Sequence, residues 1–459
     1  MTARFMMIGL DGADGALLDR WTVDGTLPHL ADLRARGAAI RLSAPAGVTD
    51  DGLWASFQYA AGLGEHGRYH YRQESRSGEM AMAHHDEVDR AAFWDSLSSH
   101  GLRVAVIDVP KCRLPRPING IHLADWLVHG RYFREPKSHP ESLAAEVLRR
   151  FGSAPPSRCG VERPKLSDPE VLEVVANLRT SAASKRAAGL HYLAAEKWDL
   201  FLIGFKEAHC AGHGLWDLVD PRCADYDAAR TGRLGNPFRA IFEDLDAAVG
   251  DLVDAAGPDA TIGVFSTTDI EPNATLIHLM PQIVNRVNRE LGETLLARAI
   301  RRVGRRLSPA SRKRLCELLP YNENCTALRI SAGNGFGRLP IDGRDRAEMS
   351  EQVEAMVWEL TDADTGRPVV IAVDRPSVEQ GGTRAAALPD LLIRYAPGTF
   401  PRAVVSPRLG RIEAVRPSVR PGNHAVGGLL ILTRGPVACV KSMEDLGPLA
   451  SKALLHSSP

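Results

Sequence analysis

The sequence predicts an α/β protein with a mainly parallel central sheet flanked by helices. Three observations point there. Short apolar runs recur at Phe5–Leu10, Arg103–Val109, Asp199–Phe205 and Ala260–Ser266. Each is too short for a helix and reads as a buried strand. Helical periodicity separates them, the alternation expected of βαβ units. Three of the four run into polar residues, and ligands of an open α/β sheet gather beyond the carboxyl ends of its strands.

The elements follow in order. Phe5–Leu10 delivers Asp11 in GLDGADG, where Asp14 reads as a helix cap. Helical patterns cover Leu27–Gly37, Asp50–Ala60 and Phe93–His100, the last closed by Gly101. For Asp50–Ala60 the first turn is acidic and Thr49 stands at the N-cap position. Residues 137–196 read as mostly helical, with a loop near 154–160. Phe238–Ala256 is an amphipathic helix. Further strands are predicted at Ala327–Ile330, Pro368–Val373, Pro389–Tyr395 and Gly428–Leu432, and a short helix after Gly447. Residues 280–320 read as a basic, solvated helical insertion without the aromatic interleaving of a nucleic-acid site. The expected organisation is one domain over 1–459 with helical or cap insertions at roughly 137–196 and 275–330.

Composition narrows the classes. The 459 residues carry 56 Lys+Arg against 56 Asp+Glu, with 44% hydrophobic and 24% charged residues. This excludes a disordered chain, a fibrous rod and a strongly basic nucleic-acid binder. No run approaches a membrane span, and the opening apolar run is too short for a secretory signal. Seven scattered cysteines without a C-x-x-C give no disulfide frame and no cysteine-based zinc site. The expected compartment is the cytoplasm. Nothing in the sequence indicates an oligomeric state.

The chemistry concentrates in FKEAHCAGHGLWD at 205–217. His209 and His213 are four apart after a strand, so a helix there sets both imidazoles on one face. Two neutral ring nitrogens so placed can hold a transition metal; alone, the spacing favours structural histidines, and its place at a strand's carboxyl end tips the reading to a metal. His424, in the Gly-rich loop RPGNHAVGGLL, offers a third nitrogen. Three nitrogens with an open position are the pattern of a catalytic zinc. Asp11 would be a hard oxygen ligand or a plain turn residue. Thr49 would be a cap or a nucleophile at a helix N-terminus, where backbone N–H groups favour an alkoxide and an anionic ester oxygen.

Taken in order, these pieces resemble the alkaline phosphatase superfamily, and within it the type I phosphodiesterase/nucleotide pyrophosphatase family. The resemblance rests on MMIGLDGAD, GTLPHLADLRARG at 25–37, TDDGLWASFQYAAGLGEHG at 49–67, HCAGHGLW at 209–216 and GNHAVGG at 422–428. It spans nearly the whole chain. It implies an alkaline-phosphatase-like fold and attack on a phosphorus or sulfur ester through a covalent threonyl or seryl intermediate. It further implies Asp11 on a second metal, Thr49 as nucleophile, and His209, His213 and His424 on a first metal. His209 stands where much of the family has Asp.

Two departures matter. The family has S-D-H-G where this chain reads FSTTDIEPN, so Thr267 and Thr268 take the Asp and His positions, with Asp269 and Glu271 following. Counting back four from Trp54 lands on Asp50, and a one-residue insertion restores Thr49. The surviving set favours one ion, zinc or another divalent metal, with the second site weak or empty. Losing a two-metal clamp raises a phosphoryl-transfer barrier by several kcal/mol. The expected function is therefore a metal-dependent hydrolase or transferase acting on a small anionic phosphoester, phosphodiester or sulfur ester. The alternatives are a degraded relative that binds an anionic ligand, and an enzyme recruited to specialised metabolism with altered chemistry.

Overall fold

The computed structural model describes residues 3–45, 48, 50–70, 72–74, 80–82, 88–127, 135–156, 165–223, 225–291, 321–322, 325–330, 338–339 and 346–455. Two compact units emerge: residues 1–62, 84–272 and 420–459 form one, and 63–83 with 273–419 form the other.

The first unit is organised by an eight-stranded sheet: β1 (Ala3–Leu10), β2 (Ala38–Arg41), β3 (Val104–Ile107), β4 (Gly120–Ala124), β5 (Lys137–His139), β6 (Trp198–Phe205), β7 (Thr261–Ser266) and β8 (Leu429–Leu432). The spatial order is β2-β8-β7-β1-β6-β3-β4-β5. The strands β7, β1, β6, β3 and β4 run parallel. The edges are antiparallel. Of the parallel strands, β7, β1, β6 and β3 are largely buried on both faces, which explains their continuous apolar runs. β8 has the same character in sequence yet pairs antiparallel with β7. The short strands β2, β4 and β5 carry no such run.

Helices α1 (Gly15–Val23), α2 (Pro28–Arg36), α3 (Asp50–Tyr59), α4 (Asp168–Ala195), α5 (Glu207–Leu215) and α6 (Pro237–Ala256) belong to this unit. Asp14 caps α1 as its sequence suggests, accepting from the Leu17 N–H at 2.8 Å. One apolar core joins β1, β6 and β7 to α1, α2, α4 and α6. No described helix is long and apolar enough to cross a membrane.

Two features aim the carboxyl ends of the parallel strands. The Asp11 N–H donates to the Phe205 carbonyl at 2.8 Å, holding the ends of β1 and β6 level. Beyond β3, the buried Asp108 accepts from the N–H groups of Trp126 and Leu127 and pairs with Lys185 of α4 at 3.0 Å. The Lys185 ammonium also donates to the Gly204 carbonyl at 2.7 Å. One buried cation thus ties α4 to the ends of β3 and β6.

The second unit holds a sheet of Tyr321–Asn322, Cys325–Ile330, Leu391–Tyr395 and Val370–Asp374, with Arg338–Leu339 beside Cys325–Ile330. A three-stranded sheet of Thr361–Asp362, Ala403–Ser406 and Gly410–Glu413 lies in the same unit. Helices Met280–Glu290 and Arg346–Trp358 share its apolar core. The basic run at 298–314 lies outside the described residues.

Removing the buried cation while leaving its carboxylate is costly. Lys185→Met should lower unfolding stability by about 3–5 kcal/mol, read as a fall in denaturant midpoint at unchanged slope.

Candidate metal centre

The centre is built where β1, β6 and β7 end. β1 ends one residue before Asp11, and the chain then turns through Gly12 at a φ of 62°. A Cβ at Gly12 would stand 2.9 Å from the His209 Cα, so only glycine lets α5 come this close. The Asp11 carboxylate is wholly buried. Its Oδ1 accepts from Trp54 Nε1 at 2.9 Å and from the Thr267 hydroxyl at 3.0 Å. Thr267 in turn lies 3.4 Å from the Gly12 N–H. Asp11 Oδ2 faces His209 Nδ1 at 3.2 Å.

β6 feeds α5, which carries His209 and His213 one turn apart on one face. Both are buried. His424 lies not in a loop, as its glycine-rich surroundings suggest, but in the short strand Gly422–Ala425. This strand pairs antiparallel with Asp269–Pro272, matching His424 to Ile270. The pairing carries His424 back over α5. Gly422 makes the approach feasible, because a Cβ there would meet the Gly212 carbonyl oxygen at 2.1 Å.

The three imidazoles therefore converge. Their ring centroids stand 4.4, 4.6 and 4.8 Å apart. His213 Nε2 lies 3.1 Å from His424 Nε2. His213 Nδ1 sits 3.0 Å from the Gly422 carbonyl, which can only accept, so Nδ1 carries the hydrogen. Burial holds the His213 pKa well below its ordinary value, so the ring is neutral and its Nε2 presents a lone pair. His424 is lowered to about 3, again chiefly by burial. With the Thr268 hydroxyl 2.8 Å from His424 Nδ1, a hydrogen on Nδ1 leaves a second lone pair facing the first. Two nitrogens on one tetrahedral ion at ~2.0–2.1 Å lie about 3.3–3.4 Å apart, close to this separation. The donor set fits a divalent metal.

A second set overlaps the first. Asp11, Asp50 and His209 also bring one donor atom each within 4.8 Å of one another. Asp50 opens α3, is buried, and sets Oδ2 at 3.9 Å from His209 Nδ1 and Oδ1 at 3.7 Å from His424 Nε2. For Asp11, burial works to raise the pKa, but the charge and hydrogen bonding of His209 help bring it below its ordinary value. Thr49 lies outside the described residues, as does its suggested capping contact. Of the two carboxylates following the Thr267–Thr268 pair, Asp269 is committed elsewhere. It accepts from the Gly15 N–H at 2.7 Å and lies 3.5 Å from Arg41.

Lys111 escapes a motif reading. It stands in the turn after β3 at a φ of 53°. Its ammonium lies 3.4 Å from Asp51 Oδ1 and 4.0 Å from Asp50 Oδ2. Burial works to lower its pKa, but Asp51, Asp50 and Asp11 together raise it above the ordinary lysine value. Thr267 and Thr268, conspicuous as substitutions, now have contacts: one holds Asp11 and the other orients His424.

The neutral imidazoles make the metal-stripped fold acid-labile. Unfolded histidine gains its proton below about pH 6.5, whereas folded His213 and His424 do not until pH falls much further. The unfolded state then binds more protons, so stability falls as pH drops below 6.5 and the loss levels off near the folded pKa, about 3 for His424. Between pH 7.5 and 5.5, metal-stripped protein should lose about 1.4 kcal/mol per such histidine, and His424→Gln should lose correspondingly less, by denaturant unfolding at both pH values.

A family model for type I phosphodiesterase / nucleotide pyrophosphatase matches residues 5–399. Among solved structures, the chain is similar to phosphonoacetate hydrolase from Sinorhizobium meliloti 1021 in complex with phosphonoformate. The two are 14% identical with a TM-score of 0.57, over 99% of this chain and 96% of that one. Human ectonucleotide pyrophosphatase/phosphodiesterase 5 is 10% identical with a TM-score of 0.51, over 98% and 95%. An inactive variant of the murine protein in complex with AMP is 11% identical with a TM-score of 0.50, over 99% and 95%. At these identities the likeness speaks for the fold. No curated protein shows significant similarity to the chain. The match over residues 5–399 and the order of the site along the sheet agree: the chain belongs to the type I phosphodiesterase/nucleotide pyrophosphatase family of the alkaline phosphatase superfamily.

Proposed function

We propose that the chain is a metal-dependent hydrolase of a small anionic phosphoester or phosphodiester, with a metal site reduced relative to two-metal relatives. One observation carries this reading: three imidazoles, two of them held neutral by burial, converge beside two buried carboxylates at the ends of parallel strands. The named relatives with bound phosphonoformate and AMP support an anionic phosphorus ligand.

His209, His213 and His424 would hold the ion, with Asp11 and Asp50 on its acidic side. A bound divalent ion supplies Lewis acidity that polarises an ester oxygen and stabilises developing negative charge. Zinc suits the three nitrogens. The remaining roles fall to the chain itself. Asp50 has both carboxylate oxygens turned toward the imidazoles, which favours it as a donor rather than as the nucleophile. That leaves Thr49 to attack phosphorus. Its hydroxyl oxygen forms the new P–O bond and gives up its proton, while the leaving-group oxygen departs and is protonated. Water then cleaves the threonyl phosphate ester. Thr268 and the Gly422 carbonyl orient the His424 and His213 rings, and Trp54 and Thr267 fix one Asp11 oxygen so that the other faces inward.

A second reading is favoured by the hydroxyls of Thr267 and Thr268, which stand where the family carries charged and imidazole ligands. In it, the chain binds an anionic ligand without turning it over. The two readings part on turnover. Under the hydrolase reading, purified protein carries stoichiometric divalent metal, chelation abolishes bis(p-nitrophenyl) phosphate hydrolysis, and readdition restores it. His213→Ala loses the metal by elemental analysis. Thr49→Ala keeps the metal but loses on the order of 10³-fold or more in kcat. Metal-bearing protein that binds phosphate esters yet shows no Thr49-dependent turnover across an ester panel supports the binding reading instead.

A further inference from the structure

We propose that the Lys111 ammonium is the fixed second cation of this centre, so that the chain takes one divalent ion although its donors form two overlapping sets. The inference rests on the metal-centre reading above and specifies its stoichiometry.

His209 is common to both donor sets. A neutral imidazole has one lone pair, so it can serve one ion; serving two requires imidazolate. Without His209, the acidic side offers Asp11 and Asp50 from that set. Thr267 contributes a neutral hydroxyl that donates to Asp11. On this acidic side the structure already supplies a cation. The Lys111 side chain is buried and reaches Asp51 at 3.4 Å and Asp50 at 4.0 Å. Both carboxylates are themselves buried, Asp51 at 3% and Asp50 at 4% exposure, and such charges need a compensating partner. An ammonium at that position repels a divalent ion seeking the same oxygens. On the imidazole side, the paired Nε2 atoms of His213 and His424 favour an ion there. Lys111 is therefore a positioning residue: it balances Asp50 and Asp51 and directs the single ion to the histidines.

The test counts ions. Full-length protein stripped with chelator is titrated with Mn2+. Bound metal is measured by elemental analysis after desalting and by the electron paramagnetic resonance signal of Mn2+. Wild type and Lys111→Arg should bind one ion per chain. Lys111→Gln should bind two, the second gaining on the order of 100-fold in affinity over wild type. Lys111→Met, which keeps the aliphatic bulk, carries the same expectation if Lys111→Gln does not fold. Two ions on wild type overturn the proposal, and so does one ion on both wild type and the charge-deleted variant. No ion on wild type overturns the metal-centre reading itself and this proposal with it.

Discussion

Buried charge is the constraint on which the site depends. Asp11, Asp50 and Asp51 are all withdrawn from water at the end of a parallel sheet. A buried carboxylate survives ionised only when a cation or several donors compensate it. Asp11 has two donors on one oxygen and an imidazole against the other. Asp50 and Asp51 have Lys111 and the N-terminus of α3, whose dipole favours negative charge. His213 and His424, held neutral by burial and aimed at one another, carry no charge to offset the rest. An arrangement with this many donors and so few fixed cations is suited to an ion.

Close backbone approach makes that arrangement possible. Gly12 admits α5 to the end of β1, and Gly422 admits the His424 strand to α5. A methyl at either position would push an imidazole away from its partners by more than a coordination bond tolerates, since catalytic constellations need positions held within about 0.5 Å. The glycines flanking the chemistry thus act as spacers of zero thickness. Behind them, Lys185 clamps α4 against the ends of β3 and β6. A rigid sheet edge and two glycine contacts set the geometry, and the side chains need only short, well-packed rotamers to meet.

Much of this was legible in the residues. The apolar runs that became β1, β3, β6 and β7 are buried on both faces, so sequence and environment carry the same signal. His209 and His213 announced themselves by helical spacing after a strand. What stayed hidden follows a physical pattern. β2, β4 and β5 are short and partly exposed, leaving no apolar run to detect. His424 reads as a loop residue because glycine disfavours strands, yet Gly422 is there for the approach to Gly212. Lys111 has no periodic context at all; its role arises from a turn after β3 meeting the start of α3, a contact that no local pattern encodes.

The paired threonines show how hydroxyls hold buried donor groups in place. A carboxylate replaced by an apolar side chain would leave Asp11 without a donor, and an imidazole so replaced would leave His424 free to rotate. Hydroxyls avoid both failures. Thr267 donates to Asp11 Oδ1, and Thr268 engages His424 Nδ1. Each hydroxyl keeps the neighbouring group oriented while removing a charge or a lone pair from the centre. The ring nitrogens gather on the imidazole side, and on the acidic side the carboxylates of α3 face the Lys111 ammonium. The parts of the centre remain buried, hydrogen-bonded and close, with one set of donors gathered on the imidazole side and one internal ion pair between Lys111 and Asp51 on the acidic side.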